Sequence, residues 1–377
     1  MAEIVLFANT DWYLYNFRRS LAHALQLSGR DPLLLSPPGP YGKALQELGF
    51  RWRPVPMARR SLNPLRELAL LWWLIRLFRN ERPALVHGFT IKSAVYGSVA
   101  ARLAGVPARI SAVAGMGYVF TSNDLKARLL RPLVRSLLRV ALGGRGSRLI
   151  LQNEDDVALF KHASLIDSAH VRLIRGSGVD CSRFTERTRY DRERPVRVLL
   201  PARLLWDKGI AEFVDAARRL RSAGDDIEFL LAGLPDPGNP AAVPEATVQE
   251  WVAEGTIQWL GHVNDMPSLF STVDIVALPS YREGLPKGLI EAAASGLALV
   301  AADVPGCREV IKDGEDGLLV PARNATALAT AINRLHRDPA LRRRLGAAAR
   351  RKALSEFDER IVIGETLAVY QELLGLS

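Results

Sequence analysis

The sequence predicts an α/β protein of two doubly wound parallel-sheet domains facing each other across a cleft, on three observations. Its 377 residues exceed what one hydrophobic core usually serves, so two cores are expected. Short β-branched and leucine-rich runs alternate with helical patterns along the chain, the signature of βαβ units and a parallel sheet. That rhythm breaks once, over the charged, strand-poor stretch from Arg183 to Pro195, and then restarts.

Six strand-like runs precede the break: Ile4–Ala8, Pro32–Leu35, Leu85–His87, Arg109–Ala112, Leu149–Gln152 and Arg172–Ile174. Six more follow: Val196–Pro201, Glu228–Ala232, Ile257–Leu260, Ile275–Leu278, Leu299–Ala302 and Gly317–Val320. The boundary is therefore placed near residue 190, with one domain over 1–190, a second over 191–355, and a last helix over 356–377 that packs back toward the first domain. Pro235 to Pro244 reads as a surface loop of the second domain, because that domain's strands lie on both sides of it. Helices are expected over Ala325–Leu335, Pro339–Phe357 and Ile361–Leu374. Open α/β sheets bind ligands outside the carboxyl ends of their strands, so the substrates are expected to meet there.

The apolar share of 48% and charged share of 24% are those of a globular protein and exclude disordered or collagen-like sequence. Residues 1–190 hold 28 Lys and Arg against 13 Asp and Glu, whereas 191–377 hold 22 against 27. A basic half suits nucleic acid, anionic lipid or phosphorylated substrates. The two cysteines, Cys181 and Cys307, fit a reducing compartment and form no metal-ligand spacing. Met1 leads straight into a strand-like run with no secretion signal, and the longest apolar run, Leu68–Phe78, is too short to span a bilayer. A cytoplasmic location is expected.

The second domain carries the strongest chemical signal, the run Pro279-Ser280-Tyr281-Arg282-Glu283-Gly284-Leu285-Pro286-Lys287-Gly288-Leu289-Ile290-Glu291. A strand ends, a Gly/Pro turn follows, and a helix opens near Pro286, a residue suited to the first helical position. Such a helix N-terminus can hold a diphosphate. Glu283 and Glu291 can then meet different hydroxyls of one elongated ligand; taken alone, they read first as a helix cap and a solvated side chain, and it is the neighbouring constellation that favours the ligand. Arg203 and Lys208 also leave a strand just before a helix. They read either as cations that stabilise a departing diphosphate or as a solvated basic turn.

Together with Gly261-His262-Val263 and Asp313-Gly314-Glu315-Asp316-Gly317, the run from Arg203 to Pro321 resembles glycosyltransferase family 4, retaining enzymes of the GT-B fold with two Rossmann-like domains. The resemblance implies that Arg203 and Lys208 bind the donor diphosphate, Glu291 the ribose and Glu283 the transferred sugar. Gly284, Leu285, Pro286, His262 and Val263 complete the implied donor set. The nucleotide implied is UDP, with the UDP-sugar a substrate; no cofactor is expected.

In the first domain, Thr10-Asp11-Trp12-Tyr13, His87-Gly88-Phe89-Thr90-Ile91-Lys92, Gly115-Met116-Gly117 and Gly176-Ser177-Gly178-Val179-Asp180 resemble the subgroup that builds lipid-linked oligosaccharides and capsular or O-antigen repeats. Many family members carry a histidine where Gly115-Met116-Gly117 stands, and related ones a His-Arg pair where Phe17-Arg18 stands. Gly115 and Gly117 permit close backbone approach to a phosphate or sugar, or are simply turn residues. Arg18 is a candidate for an acceptor phosphate, and His87 and Lys92 follow a strand as candidate acceptor residues. Asp11 either positions the acceptor hydroxyl or caps the helix that starts near Tyr15.

Two basic stretches, Arg59–Arg82 and Lys126–Arg139, interleave arginines with leucines and tryptophans at helical spacing, a pattern suited to an anionic membrane surface or to a helix packed on its sheet with its arginines in water. An acceptor carried on a polyprenyl diphosphate fits the membrane alternative, with the enzyme peripheral on the inner face of the cell membrane. No metal site is expected: Glu154-Asp155-Asp156 reads as an acidic helix start, and Arg203, Lys208 and a helix N-terminus supply positive charge instead. The retaining outcome follows from the resemblance, since no nucleophilic carboxylate can be assigned. The rivals are a nucleotide-sugar epimerase of the same fold, an inactive sugar-nucleotide-binding subunit, and a nucleic-acid binder; the last lacks an aromatic stacking platform.

Overall fold

In the computed structural model, residues 3–375 are described except 59, 60, 62, 114–135, 137, 163–165, 187–193 and 237. The chain folds as two units, Met1–Gly178 with Glu359–Ser377, and Val179–Asp358. Each is built on an all-parallel sheet whose central strands are largely buried on both faces, which is why they read as mostly apolar runs.

In the first unit the strand order is β3-β2-β1-β4-β5-β6-β7. These are β1 (Ile4–Phe7), β2 (Pro32–Ser36), β3 (Arg51–Pro54), β4 (Leu85–Phe89), β5 (Ala108–Ala112), β6 (Ser147–Leu151) and β7 (Val171–Leu173). Every residue of β1 is buried, flanked by β2 and β4 in register Ile4 with Pro32 and with Leu85. The unforeseen strand is β3. Its sequence, Arg-Trp-Arg-Pro, has no apolar alternation because it is an exposed edge. Arg51 reaches Asp31 at 2.6 Å and Glu81 at 3.4 Å, and Pro54 sits where an edge tolerates a missing donor.

In the second unit the order is β10-β9-β8-β11-β12-β13, with β8 (Val196–Pro201), β9 (Ile227–Ala232), β10 (Gln258–Gly261), β11 (Ile275–Leu278), β12 (Ala298–Ala302) and β13 (Leu318–Val320). Both sheets are doubly wound: the order reverses between β1 and β4 in one unit and between β8 and β11 in the other. Ligands of such sheets bind outside the carboxyl ends at these switch points.

The units divide earlier than residue 190. Val179, Cys181 and Phe184 are buried in the second unit's core, and Val179 N–H bonds the carbonyl of Phe357 at 2.9 Å, so Val179 already belongs to that unit. The return occurs at Glu359 rather than 356: the helix Glu359–Leu374 buries Val362, Val369 and Tyr370 in the first unit's core. The expected helix over Pro339–Phe357 is an α-helix to Lys352 followed by a π turn, Ala353–Phe357.

Candidate functional site

In the second unit, the segments after β8 and β11 are locked to each other by the backbone. Tyr281 N–H bonds the carbonyl of Asp207 at 2.8 Å. Gly209, in the left-handed region at φ 71°, lies against the Pro279 carbonyl where a Cβ would collide, so only glycine allows this approach. The consequence is a short ion pair at the switch point: Lys208 Nζ donates to Glu283 Oε1 at 2.7 Å, both side chains mostly buried. The loop bearing Glu283 is held in turn by Gly306, whose missing Cβ leaves room for the carbonyls of Glu283 and Gly284.

The helix after that loop is Lys287–Ala294, with Pro286 at its N-cap, one position before the first helical residue expected for it. Leu289 and Ile290 N–H groups bond the Pro286 carbonyl at 3.0 and 3.2 Å, and the turn Gly284-Leu285-Pro286 leads up to this N-terminus. Glu291 follows one turn in, with Lys287 at 3.7 Å. Burial raises its carboxyl above the ordinary value, against the opposing pull of Lys287 and Arg183.

Arg203 stands at the mouth, its side chain 55% exposed, donating from Nη1 to Asp236 at 2.9 Å. Asp236 belongs to the Pro/Gly-rich loop and had no sequence signal as a site residue. Tyr281, also missed, donates to Glu212 at 2.7 Å, and burial followed by that carboxylate pushes its phenol up to about 12. Ser280 Oγ is buried without a partner among the described residues. His262 is exposed and Val263 half-buried beyond Gly261, at the end of β10. Thus Lys208, Glu283, the Lys287–Ala294 N-terminus and Glu291 come together, Arg203 borders them across the β8 end, and His262 and Val263 lie at the next but one strand end.

The first-unit candidates fare differently. Asp11 does not cap its own helix; Thr10 does, accepting from Tyr13 N–H. Asp11 is buried, taking Trp12 N–H at 2.8 Å on Oδ1, and Tyr41 and Gly42 N–H at 2.6 and 2.9 Å on Oδ2. Oδ2 thus anchors the start of the Tyr41–Glu47 helix while Oδ1 holds the Trp12 amide, so both oxygens are occupied by main-chain donors. Lys92 is likewise committed. Its three donors meet Ala58 O at 2.8 Å, Ser61 O at 3.1 Å and Glu67 Oε1 at 2.8 Å, an arrangement that ties down the segment before the Pro64–Glu81 helix rather than an acceptor.

Arg18 ends a π turn, Leu14–Arg18, and is 4% exposed. His87, buried in β4, shares a 2.7 Å hydrogen bond between Nδ1 and Tyr370 OH. Burial, and then the charge of Arg18, hold its pKa well below the ordinary value, so it is neutral. Gly115 and Gly117, and Lys126–Arg135 of the second basic stretch, lie outside the described residues. Glu154, Asp155 and Asp156 open the helix Glu154–His162. Among the described residues, no group of three His, Cys, Asp or Glu is placed to hold a metal ion.

Residues 183–352 match the family "Glycosyl transferases group 1" and residues 16–201 the family "Glycosyl transferase 4-like domain". A Campylobacter jejuni protein named N,N'-diacetylbacillosaminyl-diphospho-undecaprenol alpha-1,3-N-acetylgalactosaminyltransferase is 29% identical over 373 residues, covering 96% of both chains. An Escherichia coli protein named UDP-Gal:alpha-D-GlcNAc-diphosphoundecaprenol alpha-1,3-galactosyltransferase is 26% identical over 299 residues, 76% of this chain and 75% of that one. The solved structure of a glycosyltransferase from Rickettsia africae matches with a TM-score of 0.82 at 20% identity, covering all of both chains. The two family matches meet in the middle of the chain and between them span both sheets: this protein belongs to the family 4 glycosyltransferases of the GT-B fold.

Proposed function

We propose that this glycosyltransferase moves a hexose or N-acetylhexosamine from a UDP-sugar to a hydroxyl of a saccharide carried on a polyprenyl diphosphate, in bacterial surface polysaccharide or glycan synthesis. The observation that carries the donor half is the constellation at the β8/β11 switch point. The Lys208–Glu283 pair lies there beside the open N-terminus of the Lys287–Ala294 helix, with the partly buried Glu291 one turn in. A diphosphate seated on that N-terminus and Lys208 would place ribose hydroxyls at Glu291 and sugar hydroxyls at Glu283. Arg203 keeps further N–H groups for the diphosphate beyond the one donated to Asp236. The acceptor class is supported by the relatives named above, both of which are named for diphospho-undecaprenol acceptors.

The reaction is same-face displacement with retention. The acceptor oxygen bonds to the anomeric carbon as the bond to the diphosphate breaks, and a diphosphate oxygen takes the acceptor proton. Lys208, Arg203 and the helix N-terminus stabilise the charge that grows on the leaving group. The rest is positioning. No metal ion is required in this scheme.

Work at the inner face of the cell membrane is supported by the helix Pro64–Glu81. Its buried side is Leu70, Leu74, Leu77 and Phe78. Its outer side exposes Leu65, Leu68 and Trp72, spaced as one helical stripe, among exposed Arg66, Arg76 and Arg79. An apolar stripe edged by cations suits an anionic leaflet. Among the described residues no helix is long and apolar enough to cross a membrane.

The test is calorimetry in EDTA against UDP, GDP and ADP, with Glu291→Ala and Arg203→Ala alongside. Selective UDP binding weakened by both variants is the expected result. Absence of any nucleoside diphosphate binding would overturn the reading.

A further inference from the structure

We propose that Arg18 forms an anion subsite in the first unit that takes the diphosphate of the acceptor, an inference resting on the acceptor class proposed above. Among the described residues Arg18 is a buried charge without a counter-charge. The structure buries three arginines among its described residues, Arg18, Arg109 and Arg342. Arg109 and Arg342 donate to main-chain carbonyls, Gly143 O at 3.2 Å and Leu335 O at 2.8 Å. Among the described residues Arg18 meets neither a carbonyl nor a carboxylate. Its one hydrogen bond among them is from Nη2 to Tyr13 OH at 3.2 Å, and Nε is enclosed without an acceptor there. A neutral phenol does not offset the desolvation of a guanidinium.

Position supplies the second argument. Arg18 comes from the π turn that follows β1, and π turns recur at functional sites. The guanidinium lies 4.3 Å from the Phe89 ring centre, at the end of β4, so it stands where the strand order reverses and doubly wound sheets take ligands. The His87 ring packs on the other partner of that contact, 4.0 Å from the Phe89 ring centre. His87 Nε2 is enclosed and unpaired. In the tautomer in which Tyr370 donates to Nδ1, Nε2 carries the ring proton and is a second donor without an acceptor among the described residues. Thr90, next along the chain, holds a positive φ of 68° and an enclosed, unpaired hydroxyl, backbone strain of the kind retained at binding sites. A guanidinium with free N–H groups is matched by phosphate oxygens, several of which a diphosphate presents at once.

The experiment uses the full chain with saturating UDP, so that the donor site is filled, and follows thermal unfolding while inorganic pyrophosphate is titrated. The wild type gains melting temperature and Arg18→Met does not. Without ligand, Arg18→Met melts at or above the wild-type temperature, because an uncompensated charge is gone. In transfer assays Arg18→Met raises the KM for a prenyl-diphosphate-linked N-acetylhexosamine about 10- to 100-fold, the worth of one charge-assisted bond, with partial rescue in Arg18→Lys. The same hexosamine on a neutral alkyl glycoside loses no such factor. An Arg18→Met protein that melts lower yet keeps the pyrophosphate shift, or that loses equally on both acceptors, overturns the subsite. Calorimetry of UDP reports separately on the transferase reading: wild-type protein that fails to bind UDP sinks that reading, while UDP binding without an Arg18-dependent pyrophosphate shift sinks the subsite alone.

Discussion

Lys208 and Glu283 hold each other at 2.7 Å, although 75 residues separate them in the chain. Each therefore fixes the other's geometry before any ligand arrives, and removal of either leaves a mostly buried charge unpaired. Lys208→Met is expected to lower kcat by about 10²- to 10³-fold, the usual effect of deleting one preorganised group that faces developing negative charge. Glu283→Gln should weaken UDP-sugar more than UDP. A double-mutant cycle on kcat/KM should return a coupling of about 1–3 kcal/mol; additive losses would mean that the pair does not act as a unit.

Glu291 gives a pH signature. Its carboxyl is raised above the ordinary 4.5, first by burial, so the folded state holds the proton more tightly than the unfolded chain. The resulting penalty is absent below the unfolded value and fully present above the folded one; stability from this group falls as pH rises between the two. Glu291→Gln should then melt higher than the wild type at pH 7 and equally at pH 3.5. Ribose hydroxyls bind the ionised form, so UDP affinity should climb through the raised pKa in the wild type and stay flat in Glu291→Gln, as titration calorimetry across pH 4 to 8 would read.

What could be read from the chain alone follows from where the information sits. Val196–Pro201 and Ile275–Leu278 coincide with the expected runs because central strands of a parallel sheet are mostly apolar, Arg197 apart. The edge strand Arg51–Pro54 has no such pattern, its side chains answering to charges on neighbouring elements. Arg203, Lys208, Glu283 and Glu291 stood out as candidates because a motif holds their spacing and strand ends place them. The surroundings of Asp11, His87 and Lys92 were not legible for the converse reason. Their partners are Tyr41 and Gly42, Tyr370, and Glu67 with two carbonyls, contacts that local spacing does not encode. Asp236 was missed because a carboxylate in a Pro/Gly-rich loop looks like any turn residue.

Asp11 should now behave as an anchor. Removing a carboxylate that accepts main-chain N–H bonds at a helix start typically costs about 0.5–2 kcal/mol, and enclosure of the unpaired amides adds to it. Asp11→Ala is expected to lose roughly 2–3 kcal/mol on that basis, read by urea unfolding, while UDP affinity is preserved. An Asp11→Asn protein of wild-type stability with kcat reduced a thousandfold would restore a role in the reaction.

The exposed stripe of the Pro64–Glu81 helix separates two forces that salt can resolve. Trp72 is 62% exposed with Arg76 over its ring at 5.6 Å, and Leu68 lies one turn before it, so neither supports the core that Leu70 and Leu74 build. Leu68→Gln with Trp72→Gln should leave the unfolding midpoint nearly unchanged. Burying two such side chains contributes about 1.5–3 kcal/mol each, and partial insertion delivers less, so binding to vesicles containing phosphatidylglycerol should weaken by about 10- to 100-fold. That loss should persist in 0.5 M salt. Arg76→Gln with Arg79→Gln should instead cost about 1 kcal/mol per cation at low salt and almost nothing at 0.5 M, where the screening length is about 4 Å. Vesicle sedimentation of the wild type and the two double variants at two salt concentrations distinguishes an inserted stripe from a merely attracted one; equal binding by all three would place membrane contact elsewhere on the chain.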